Sequence, residues 1–77
     1  MERMVLIKTD KGYIKDINVT EDLLEFSNNK KDACIMMPLS CLHTVEIFNA
    51  CLNSGIRKFE IINSKYWYDK EHNYMIE

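Results

Sequence analysis

Glycine and proline are almost missing from this chain. Two glycines and one proline among 77 residues cannot supply a glycine-rich phosphate loop or a proline-rich linker, so nucleotide binding by such a loop is excluded. Gly12 and Gly55 stand where a turn and a helix end would need them. An excess of one charge is missing too: ten basic and twelve acidic residues leave a formal net charge of −2. That balance creates no long-range field toward DNA, RNA or an anionic membrane, so nucleic acid is disfavoured as a partner and no membrane is expected. The basic groups Lys8/Lys11/Lys15, Lys30/Lys31 and Arg57/Lys58 have acids nearby, and only Tyr13 interleaves with them; they read as solvated surface. Glu21, Asp22 and Glu25 are the densest acidic group, too few to imitate a run of phosphates.

Long apolar runs are lacking. No stretch approaches the ~20 apolar residues that span a bilayer, and the run Met4-Val5-Leu6-Ile7 is too short for a secretory signal, so a cytoplasmic location is expected. Three cysteines, an odd number without a Cys-x-x-Cys pair, predict free thiols in a reducing compartment and no disulfide. Cys34, Cys41, Cys51, His43 and His72 are the soft metal-ligand candidates, and none forms a close pair that presets two corners of a tetrahedral site. No metal and no cofactor is expected. A cysteine or serine nucleophile needs a histidine within reach and a third group to orient it. His43 and Glu46 are neighbours at i, i+3, but on the opposite helix face from the cysteines, so no catalytic residue is assigned and the chain is expected not to be an enzyme.

What is present suits one small domain over residues 1–77. Apolar residues at 47% and charged ones at 29% match a folded globular balance, with a core one layer of contacts deep. Residues 3–9 read as a strand, Asp10-Lys11-Gly12 as a turn, and 13–19 as the antiparallel return. On that return Tyr13, Lys15, Ile17 and Val19 share one face and Ile14, Asp16 and Asn18 the other, which makes the first the expected core side. A third strand over 23–27, with Leu24 and Phe26 facing together, ends at Asn28-Asn29. One helical turn follows at 30–33, and the apolar 34–37 before Pro38 is an edge strand or a buried link.

Residues 40–54 carry the helical pattern, with Ser40 as N-cap and Gly55 closing the end. Cys41, Val45, Phe48 and Leu52 form one stripe, flanked by Leu42 and Cys51. His43, Glu46, Ala50 and Ser54 lie on the far side, and Ile47 is left in water. A strand over 56–63 and a hairpin pairing 66–69 with 74–77 complete the chain. The expected fold class is therefore α+β: a small, mainly antiparallel sheet of five to six strands, covered by one amphipathic helix and ending in a C-terminal hairpin.

Tyr66-Trp67-Tyr68 is the feature with most bearing on partners. Alternation sends Tyr66 and Tyr68 to one face and Trp67 to the other, and at least one ring is expected to stay in water. Exposed Tyr and Trp anchor interfaces, so Tyr66, Trp67 and Tyr68 are candidate partner-binding residues, with His43, Glu46 and Ile47 on the outer helix face as the second candidate group.

The stretch Gly12-Tyr13-Ile14-Lys15-Asp16-Ile17-Asn18-Val19-Thr20, then Leu24-Glu25-Phe26-Ser27-Asn28-Asn29-Lys30-Lys31-Asp32-Ala33, then Lys58-Phe59-Glu60-Ile61-Ile62, resembles small phage- or prophage-encoded α+β accessory proteins of low-GC Gram-positive bacteria. In those a strand ends in a T/S-N-[DN]-x-x-[DE]-A turn and leads to a helix and a returning strand. The resemblance covers about two thirds of the chain. Pro38 and the apolar 34–37 depart from the pattern, and the hairpin after Asn63 is an addition to it. Such proteins act by binding a host protein, and some are anti-CRISPR inhibitors. The resemblance thus implies a non-enzymatic protein that binds and inhibits a host protein, including components of bacterial immunity, in the host bacterial cytoplasm. The alternatives are a small nucleic-acid-binding regulator and a structural phage protein that pairs with itself, and a homodimer is compatible with either protein-binding reading.

Overall fold

Met4-Val5-Leu6-Ile7 is an unbroken apolar run, and such a run in a strand calls for burial on both faces. The computed structural model, which describes residues 1–18, 20, 21, 23–38, 43 and 55–77, meets that demand. All four side chains are buried, Ile7 completely, because their strand, β1 (Glu2–Thr9), is the middle one of the sheet. The other strands are β2 (Gly12–Asn18), β3 (Leu23–Ser27), β4 (Phe59–Asp69) and β5 (Tyr74–Ile76), in the order β3-β2-β1-β4-β5. Every pairing is antiparallel.

The β1–β2 hairpin closes on Asp10-Lys11. Thr9 Oγ1 accepts from Lys11 N at 3.0 Å and donates to Gly12 O at 2.8 Å. Gly12 has φ +116°, and a Cβ there would lie 2.8 Å from Ser27 O of β3, so both conformation and space demand glycine. After the pairs Lys8↔Tyr13 and Thr9↔Gly12 the two strands part. The 34–37 link enters between them: Cys34 N donates to Ile14 O, and Val5 and Met36 exchange two bonds, all at 2.8 Å. Of the two roles expected for this segment, the buried link is the one it fills. It follows a 3₁₀ turn (Lys30–Asp32), which Asn29 caps by accepting from Lys31 N.

The core side of β2 differs from the expectation. Ile14 is fully buried and Lys15 is exposed, while Ile17 packs against the same core. The reason is a β-bulge: Ile14 pairs with Phe26 and Asp16 with Glu25, so β2 spends one more residue than β3 over this step. The extra residue resets the alternation and brings Ile14 and Ile17, three apart, to one face. Val5, Ile7, Ile14, Met36 and Ile56 form that core, with Leu24, Phe26 and Cys34 packed on its rim.

The α+β class is corrected. The described residues form an all-strand, antiparallel, five-stranded sheet with one 3₁₀ turn and no helix of seven or more residues among them. The 40–54 pattern on which the covering helix rested lies outside the described residues apart from His43, which is exposed. Helical spacing shows which residues could share a stripe, not which surface they cover. Here Met36 and Ile56, from the segments flanking that stretch, are buried in one cluster with Val5, Ile7 and Ile14. Among the described residues no helix is long and apolar enough to cross a membrane.

Candidate functional site

β4 runs for eleven residues and is interrupted by a bulge. Val5 pairs with Asn63 but Arg3 with Trp67, so β4 holds the surplus residues. Ser64, buried inside the irregularity, stitches it: its Oγ donates to Met4 O at 2.7 Å and accepts from Tyr66 N at 3.1 Å, and Arg3 Nε donates to Ser64 O at 2.6 Å. The surplus is even. Trp67 therefore returns to the face that Phe59 and Ile61 occupy, opposite Arg3 as they are opposite Thr9 and Ile7.

The result is an apolar stripe in water. Phe59 is 41% exposed, Ile61 37%, Trp67 39% and Tyr74 49%. Tyr74 joins the stripe because it pairs with Asp69, two residues beyond Trp67. The Arg3 guanidinium carbon stands 4.8 Å from the Trp67 ring centroid, a cation–π contact that orients the indole while leaving much of it accessible. Tyr68 pairs with Met75 on the opposite face and is half-buried, as is Tyr66; Trp67 is the most exposed of the three rings. Of the second candidate group, His43 is exposed and Glu46 and Ile47 lie outside the described residues.

Sequence reasoning missed Phe59, Ile61 and Tyr74 as surface residues. Alternation grouped Phe59 with Ile61, but only the tertiary structure shows that both stay partly in water although their β1 partners Thr9 and Ile7 are buried. It also missed a cluster in the last turn, where ligand atoms of Asp69, Glu71 and His72 lie within 4.8 Å of one another. The Asp69 carboxylate is already engaged: it accepts from Glu71 N at 3.0 Å and His72 N at 3.3 Å, and meets His72 Nδ1 at 2.9 Å. The His72 contact foremost, then these backbone bonds, outweigh burial and hold its carboxyl below the ordinary value. Asn73, with φ 56°, closes the turn and accepts from the Tyr68 hydroxyl. The cluster is turn chemistry.

Cys34 is half-buried, and its thiol is pushed above its ordinary value by burial and then by the charge of Asp16, the reverse of what an activated nucleophile needs. Cys41 and Cys51 lie outside the described residues. An open hollow of about 340 Å³ lies between Thr9, Asp10, Lys58 and Phe59. Of the two carboxylates that line it, Asp10 and Glu60, Asp10 accepts from the backbone N–H groups of Arg57 and Lys58 at 3.1 and 3.4 Å. What this surface can do is bury apolar rings against another macromolecule. Compared with family models, curated proteins and solved structures, the chain gives no match to any of them.

Proposed function

We propose that this chain is a non-enzymatic accessory protein that binds and inhibits a host protein, with the exposed Trp67–Tyr74 face of the terminal hairpin as its contact surface. The observation that carries the reading is that face: two aromatic rings at 39% and 49% exposure on one side of the β4–β5 corner of the sheet. Rings of this kind bury about 150–250 Å² each and lose little rotamer freedom, which is why they serve as interface anchors. Arg3, held on Trp67, adds a cation at the rim. The likeness to phage accessory proteins supplies the partner class, a protein of a bacterial host, with components of bacterial immunity such as CRISPR–Cas complexes as the first to test.

The test compares the native chain with Trp67→Ala against purified candidate host complexes and a low-GC Gram-positive lysate. The native chain is expected to retain a stoichiometric partner, and Trp67→Ala to weaken that binding by about 2 kcal/mol or more while moving the unfolding midpoint little. Equal affinity of both proteins for the partner would sink the assignment of this face. Retention on DNA or RNA that falls steeply with salt would instead favour the nucleic-acid regulator.

A further inference from the structure

The open side of β4 carries an inference that does not depend on the aromatic face. β5 pairs only with 67–69 of β4, so among the described residues the outer edge of 59–66 has no strand beside it. Backbone directions along this edge follow from printed contacts. Val5 exchanges its bonds with Met36, away from β4, and since N–H and C=O groups alternate sides along a strand, Ile7 and Thr9 also point away. Leu6 and Lys8 then face β4, and their partners Ile62 and Glu60 face β1. Lys58 continues the series, its C=O accepting from Asp10 N at 3.2 Å. Phe59, Ile61 and Asn63 are left with N–H and C=O groups directed outward, and this is the open template that folded proteins ordinarily cover or block. The blocking devices are few here: 59–63 contains no proline and no lysine, and Glu60 is its single charge.

We propose that this edge pairs antiparallel with the same edge of a second copy, with Ile61 opposite Ile61 on the twofold axis. A twofold axis perpendicular to a sheet sets residue i against residue c−i with c even, so each candidate register has a named residue at its centre. Centring on Ile61 sets Phe59 opposite Asn63 and uses the outward groups of all three residues in both chains. It also places an apolar residue on the axis and Glu60 across from Ile62. Centring on Glu60 would bring two carboxylates directly together, and centring on Ile62 would run the edge into the Ser64 bulge. The bulge at one end and the Asp10 contacts to Arg57 and Lys58 at the other bound the pairing to this stretch. A net charge of −2 opposes self-association only weakly. So short a contact lies at the small end of protein interfaces, and the dimer it forms is a reversible, concentration-dependent one.

The experiment is sedimentation velocity over a concentration series, paired with amide hydrogen exchange on the unaltered chain. The mass is expected to rise from 9.2 kDa toward twice that value. Over the same range, protection is expected to rise at Phe59, Ile61 and Asn63 while Glu60 and Ile62, bonded to β1, stay constant. Ile61→Lys, which sets two ammonium groups together at the axis, and Ile61→Pro, which removes an outward N–H and no bond to β1, are both expected to return the chain to monomer with native circular dichroism. A mass fixed at 9.2 kDa to the limit of solubility overturns the proposal. So does a dimer whose formation leaves those three amides unprotected. A dimer broken by Trp67→Ala and not by either Ile61 variant would move the contact to the aromatic face and overturn the edge pairing as well.

Discussion

Ile14 and Lys15 are adjacent and have opposite fates. Ile14 is fully buried and Lys15 is in solvent, although simple alternation puts Lys15 with Ile17 on the inner face. The bulge opposite Glu25 and Phe26 decides the matter. Ile14→Ala is expected to cost about 2–5 kcal/mol by opening a cavity beside Val5 and Ile7, and Lys15→Ala to fall within about ±0.5 kcal/mol; chemical denaturation of the two variants checks both. Gly12 is a second residue whose environment is not local. Its positive φ follows from turn chemistry that is visible in the sequence, but the contact with Ser27 O exists only because β3 folds back beside it. Gly12→Ala is expected to lose about 1–3 kcal/mol through strained backbone and displacement of β3.

Among the elements, β4 depends most on a distant group. It begins where Asp10, in the β1–β2 turn, accepts from the N–H groups of Arg57 and Lys58, 47 and 48 residues away. Burial alone would raise the Asp10 carboxyl, but these N–H groups outweigh it and hold it below the ordinary value of 3.8. A carboxyl depressed in the folded state stabilises it above the unfolded value, and this contribution is lost as pH falls through the depressed one. Asp10→Ala is therefore expected to lower the thermal midpoint at neutral pH, and its deficit to shrink as the pH drops below 3.8, where the unfolded chain takes up the proton first, and to vanish once the depressed native carboxyl is protonated as well. A deficit independent of pH would show that the side chain acts through packing. The bulge in β4 was not legible in advance: strand signals on both sides of Asn63-Ser64 read as two strands, and only the Ser64 bonds to Met4 and Tyr66 join them into one.

At the scale of the molecule, burial is uneven. The β1–β2 half of one face holds Ile7, Ile14, Met36 and Ile56, while on β4 and β5 the same face keeps Phe59, Ile61, Trp67 and Tyr74 in water. Local stability should follow this division. Hydrogen exchange at low protein concentration is expected to be slowest in β1, paired on both sides and buried on both faces, and fastest among the ladder amides of β5, three residues long with one neighbour. Comparable protection in the two strands would contradict a core centred on β1.

By itself the sequence determined the strand at Met4-Val5-Leu6-Ile7, the hairpin turns at Asp10-Lys11-Gly12 and 70–73, one helical turn after Asn28-Asn29, and the aromatic run in the last hairpin. Each of these rests on residues within a few positions of one another, where backbone sterics, side-chain capping and period-two alternation act directly. Tertiary structure alone decided the rest: the fold class among the described residues, the inward turn of Ile14, the link wedged between β1 and β2, and the exposure of Phe59 and Ile61. Those outcomes depend on which strands become neighbours and on where a surplus residue shifts the register. Pairing energy is earned between residues dozens of positions apart, and periodicity along one strand carries no record of the strand that will lie beside it.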